Sequence, residues 1–174
     1  MKGYHDSTTE YEHRDSWQTP KFIFDFFNDR YQFSADVCAS RRNALCDVFY
    51  TTEDDCLSCD WSEMVPRFTT VWCNPPYSSP KDFINKAHEQ NQKNRIWTAM
   101  LLPADTSVSW FSLCEKLASE IIFITDGRIS FINPQTGKPK SGNSKGSMLV
   151  IFGVRLGGCN ISTLSMKQIK AQTK

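Results

Sequence analysis

The chain has 174 residues, 40% of them hydrophobic, and a formal net charge of +1. That is enough for one domain with a real core and too little for two. No stretch approaches the length of a membrane span and no signal peptide opens the chain, so a soluble, cytoplasmic protein without a membrane partner is expected.

Charge and cysteine are unevenly informative. From Gly127 to Lys174 there are eight basic residues and no Asp or Glu, whereas the rest holds 12 basic against 19 acidic residues. Such polarity predicts one face meant for phosphates, although the last lysines read as a solvated tail. The seven cysteines are an odd number scattered through predicted elements, which fits reduced thiols. Cys56 and Cys59 have Cys-x-x-Cys spacing, but no second close pair completes a tetrahedral set, so no metal site is expected.

Residues 1–14 lack hydrophobic periodicity and are expected to form a mobile tail. Thr19-Pro20 then opens a helix, with Thr19 as its cap and Pro20 in the first turn. Phe22, Ile23, Phe26 and Phe27 form its apolar stripe, and Trp17 can staple the start. Free N–H groups at such a helix start suit an anion. Tyr31–Ala35 alternates as a first strand ending at Asp36. Only eleven residues then separate Asp36 from Val48, so the first crossover is cramped. Val48–Thr51 reads as a second strand, followed by the acids Glu53, Asp54 and Asp55. Asp60-Trp61 comes next.

Thr69–Trp72 is a β-branched and aromatic run that suits a buried strand. Cys73-Asn74-Pro75-Pro76-Tyr77 follows, and its two prolines forbid continued strand pairing. Ser79-Pro80 starts a helix to about Gln92, with Lys81 near its beginning. Ile96–Leu102 is a strand running into Pro103-Ala104, Ser107–Leu117 a helix, and Ile121–Ile124 another strand. Residues 133–147 are dense in Asn, Pro, Gly, Ser and Lys and are read as a flexible basic loop. Met148–Phe152 is a final strand, antiparallel to the one before it, and residues 158–174 are expected to be peripheral. Strands and helices at this spacing make an α/β fold with a mostly parallel, doubly wound sheet and an antiparallel strand near the C-terminus.

The Asn74 loop carries the chemistry. Prolines have no N–H, so nearby carbonyls are free acceptors, and the Asn74 side chain adds another. Tyr77 supplies a flat face. Acceptors beside an aromatic platform suit a planar group bearing NH2. Held by both hydrogens, such a nitrogen pyramidalises, and the charge it gains while attacking an electrophile is stabilised. A tight turn with a packed Tyr is the bland alternative.

Asn74-Pro75-Pro76-Tyr77 after a hydrophobic strand resembles the catalytic motif of amino-directed S-adenosylmethionine-dependent methyltransferases. The series Asp15–Pro20, Asp36-Val37-Cys38-Ala39, Asp60-Trp61, Asn74–Tyr77, Leu101–Ala104 and Gly127–Phe131 resembles, in order, phage-type DNA adenine-N6 methyltransferases of the Dam family. The resemblance covers roughly residues 15–152. It implies a Rossmann-like class I methyltransferase domain over 15–157 and S-adenosyl-L-methionine as cofactor. It implies catalysis by Asn74, Pro75, Pro76 and Tyr77. Trp17, Thr19, Pro20, Asp36, Cys38, Ala39, Asp60, Trp61 and Asn74 would then contact the cofactor. Asp36 could instead cap the next turn, and Asp60 could cap beside a buried Trp61. Asp36-Val37-Cys38-Ala39 departs from the glycine-rich turn usual in this fold class.

Between Asp36 and Asn74 no separate target-recognition domain fits. The basic loop 133–147 is therefore the candidate reader of double-stranded DNA, with Lys81, Arg128, Lys138, Lys140 and Lys145 on phosphates. One loop makes few base-edge contacts, which predicts short or relaxed specificity. RNA adenine, a protein glutamine amide or an inactive DNA-binding relative are the alternatives. A monomer or weak dimer, in the cytoplasm of a host bacterium if phage-encoded, completes the expectation.

Overall fold

A computed structural model describes residues 17–173. The expected tail at 1–14, with Asp15 and Ser16, lies outside the described residues. Four helices and six strands follow in the order α1 (Lys21–Tyr31), β1 (Phe33–Asp36), β2 (Thr70–Cys73), α2 (Pro80–Asn94), β3 (Trp97–Pro103), α3 (Phe111–Leu117), β4 (Glu120–Thr125), β5 (Ser147–Phe152), β6 (Asn160–Ser165) and α4 (Met166–Gln172), with a single 3-10 turn at Trp61–Glu63. The strands form one mixed sheet in the order β1-β2-β3-β5-β4-β6.

Strands β1, β2 and β3 are parallel, and β4 pairs β6 in parallel. β5 runs antiparallel to both β3 and β4, which it separates. Asp36, Cys73 and Pro103 therefore end at one edge, and Ser147, opening β5 opposite Pro103, returns to it.

Strand alternation assigns the two faces. Met100 and Leu102 of β3, with Met148, Val150 and Phe152 of β5, pack toward α2 and α3. Ala99, Leu101, Leu149 and Ile151 pack toward α1 and α4. Both faces of the central strands are covered, which is why they read as continuous apolar runs. Trp72, fully buried, meets the rings of Phe24 and Phe33 at 5.5 and 5.3 Å, tying β2 to α1 and β1.

Four expectations need correction. Val48–Thr51 makes only one bridge, Phe49 beside Asp36, because the short crossover leaves no length for a ladder. Residues 158–174 are not peripheral: β6 completes the sheet and α4 sinks Met166 and Ile169 into the core. Thr19 does not cap α1; Pro20 occupies the cap position and no side chain bonds there. Residues 133–147, read as a loop without strand, do pair in part: Pro139 bridges Ile132, which also bridges Gln18, and Ser147 opens β5. Asn133 closes that tip, its side-chain oxygen accepting from the N–H groups of Gln135 and Thr136.

Candidate active site

The Asn74 loop leaves β2 at the shared edge, where open α/β sheets bind ligands. It lines a cavity of about 170 Å³ with Trp17, Tyr77, Pro103, Phe131 and the segment Asn143–Ser147. Pro103 comes from the end of β3 and Ser147 from the start of β5. Trp17 is drawn in because Gln18 exchanges two backbone hydrogen bonds with Ile132 (3.1 and 2.9 Å). The same pairing brings Phe131 opposite Tyr77, ring centroids 6.3 Å apart at 85°.

Asn74 is held by one contact with chemical consequence. Its amide nitrogen donates to the Trp17 carbonyl at 3.3 Å. That carbonyl only accepts, so it fixes which way the amide faces. Oδ1 is turned away, and among the described residues it is buried without a hydrogen-bond partner. Buried polar atoms are normally paired, so an orphaned acceptor in a cavity wall marks a place for a donor from outside. Tyr77, 38% exposed, presents its ring beside it.

A second orphan lies two residues after Trp17: the hydroxyl of Thr19, a residue only 7% exposed. Asp36 is 3% exposed, and among the described residues no cation pairs with it. Its carboxylate accepts from the N–H of Cys38 (3.2 Å) and of Leu45 (3.3 Å). Burial pushes its pKa up to about 6 against those two bonds. Asp36 therefore holds the Val37–Leu45 turn, and the charge itself remains unpaired. Cys38 and Ala39 sit in that turn, both half-buried. The buried Cys73 thiol is pushed well above its ordinary pKa by desolvation, then by Cys38, so it stays protonated. Among the described residues no group of three or more His, Cys, Asp or Glu is placed to hold a metal.

Of the expected cofactor contacts only Trp17 and Asn74 line this cavity; Thr19, Pro20, Asp36, Cys38, Ala39, Asp60 and Trp61 do not. Asp60 caps the Trp61–Glu63 turn and pairs with Lys93 at 2.6 Å and with Asn94, in the last turn of α2. Lys93 first, then Ser62, holds its carboxyl below the usual range. The 15-residue α2 starts just after the Asn74 loop, so Asp60 lies about 20 Å from it along that helix. Trp61 is fully buried and donates its indole N–H to the Cys56 carbonyl at 2.8 Å. These contacts are the ones expected of a capping Asp60 beside a buried Trp61.

The expected DNA-contacting residues surround the cavity unequally. Lys145 lines it and pairs with Asp105 at 2.6 Å, which lowers the Asp105 pKa to about 2. Lys140 stands over the Trp17 ring at 5.6 Å. Arg128 donates to the Asn143 carbonyl, and the Asn143 amide donates back to Ile129 O at 2.6 Å. Lys138 is exposed on the tip of the loop and Lys81 on the first turn of α2. Sequence reasoning missed Asn143, Ser144, Gly146 and Ser147 as cavity wall. Low-complexity composition hid them; their place after a strand that ends at the same edge was the available signal.

Comparison with known proteins finds similarity along most of the chain. A family model described as DNA N-6-adenine-methyltransferase (Dam) matches residues 6–173. A DNA N-6-adenine-methyltransferase of Haemophilus phage HP1 (strain HP1c1) is 35% identical over 168 residues, 94% of each chain. Another, of Escherichia phage T1, is 38% identical over 154 residues. That alignment takes in 80% of this chain and 63% of the T1 protein's length.

Proposed function

Because the chain belongs to the DNA N-6-adenine-methyltransferase (Dam) family, we propose that it methylates the exocyclic N6 amine of adenine in double-stranded DNA, using S-adenosyl-L-methionine. The observation that carries this reading is the buried, unpartnered Asn74 Oδ1 beside Tyr77. The fold is read as a Rossmann-like class I methyltransferase.

An adenine stacked in a duplex cannot enter the cavity, so the base must leave the stack. Tyr77 and Phe131 offer apolar walls for it. Asn74 Oδ1 and the Pro75 carbonyl take its two N6 hydrogens, while the lone pair is left for the electrophile. The acceptors also stabilise the charge that develops on nitrogen, so catalysis rests on positioning and electrostatics, with no strongly basic residue needed.

The residues present fit the cofactor. Thr19 offers an unused buried hydroxyl and Asp36 an unpaired buried carboxylate suited to an ammonium group. Trp17, Thr19, Pro20, Asp36, Cys38 and Ala39 would hold it, and when bound it supplies an electrophilic methyl. Lys81, Arg128, Lys138, Lys140 and Lys145 would contact DNA phosphates.

Radiolabelled cofactor offered with duplex DNA, RNA and glutamine-containing protein tests the reading. Label on N6 of adenine in duplex DNA is expected. Label confined to RNA or protein would sink the substrate assignment.

A further inference from the structure

A second cavity, of about 260 Å³, lies at the opposite edge of the sheet from Asn74. It opens between the C-terminal halves of α2 and α3 and the turn after β5. His88, Arg95, Lys116 and Arg155 line it, and no carboxylate does. Several carbonyls around it are already engaged. The carbonyls of Gln90 and Asn91 take the Arg95 N–H, the Lys116 carbonyl takes the Arg155 guanidinium, and Gly153 O takes the Asn91 amide at 2.9 Å. The donors are not used up. Among the described residues, no carboxylate pairs with Arg95, Lys116 or Arg155. His88 Nδ1 is buried without a partner.

A cavity with surplus cationic donors, no carboxylate in its lining and an orphaned ring nitrogen suits an acceptor-rich anion. We propose that this cavity is a phosphate-binding site, in which Arg95 and Lys116 supply charge and His88 Nδ1–H an oriented donor. The phosphate is either a free or nucleotide phosphate or a phosphodiester of bound DNA. Only the second source rests on the proposed function.

The test uses the full chain and the variant Arg95→Asn/Lys116→Gln. Asn is chosen because Arg95 has φ 56°, a conformation Asn tolerates. Lys167→Ala/Lys170→Ala, on α4, makes the same change in charge as a control. The chain holds three histidines, so the ring signals of His88 are readily assigned by substitution. Inorganic phosphate is titrated at fixed pH and ionic strength. A saturable shift of His88 in the parent chain, lost in Arg95→Asn/Lys116→Gln and kept in the control, supports a free phosphate as the source. The affinity for a duplex is then measured against salt. A slope shallower by about 0.9 per phosphate lost, beyond the control's change, supports a DNA phosphodiester. If phosphate at fixed ionic strength leaves His88 unmoved and the slope matches the control, the site does not exist.

Discussion

Replacing Asn74 by Ala tests the central reading most directly. The side chain makes one protein bond, to the Trp17 carbonyl at 3.3 Å, at the long end of the range. Losing it should cost about 1 kcal/mol of stability or less. Oδ1 makes no protein bond, so the fold does not depend on it. If it accepts from an amine that gains charge, its removal costs about 1.5–3 kcal/mol in the transition state. At about 1.4 kcal/mol per decade, turnover should fall roughly 10- to 100-fold. The assay is single-turnover transfer of labelled methyl to duplex DNA at saturating cofactor, with thermal melting in parallel. Asn74→Asp keeps an acceptor and loses the donor that orients it, so its rate should lie between the two. An Asn74→Ala protein that melts normally and transfers methyl within twofold of the parent would refute the argument.

Tyr77→Phe should keep most activity and Tyr77→Ala lose it, since the ring face is the feature used; turnover on duplex DNA reads both. Asp36 gives a pH signature. Its folded pKa, about 6, lies above the unfolded value, so the folded state holds the extra proton between about pH 4 and 6. Stability from this group is fully present below that window and lost as pH rises through it; urea unfolding of the parent against Asp36→Asn, from pH 4 to 7, should show the difference. Lys145→Ala should weaken duplex binding and reduce the salt slope by about 0.9, whereas Asp105→Asn should tighten binding by freeing Lys145. Both should leave stability almost unchanged in urea unfolding, as for a surface pair. Trp72→Ala should destabilise by about 3–5 kcal/mol in denaturant, because it empties the contact between α1 and β2.

How far the sequence could be read depended on whether a signal was local. The strand before Asn74 and its proline break were visible because β-branched residues and a missing N–H act within a few residues. The continuous apolar runs of β3 and β5 likewise announced strands buried on both faces. β6 stayed hidden because Asn160–Ser165 is an edge strand, polar and half-exposed, with no clear alternation. Its neighbour α4 did carry a mark, a reciprocal capping box between Ser165 and Gln168, that was passed over. The pairing of Asp60 was hidden for a different reason. Its partners Lys93 and Asn94 are more than thirty positions away, and nothing near Asp60 announces them. The orphaned Oδ1 of Asn74 was equally invisible, since it depends on the Trp17 carbonyl arriving from the far end of the chain.

The position of β5 has a consequence for how the molecule is made. The strand that fills the middle of the sheet is synthesised fifth, after both strands that flank it. Until residue 152 has emerged, β3 and β4 present unmatched hydrogen-bonding rims at the most apolar part of the sheet. A nascent or truncated chain ending before Ser147 should therefore be sticky, and closure of the sheet should wait for almost the whole polypeptide.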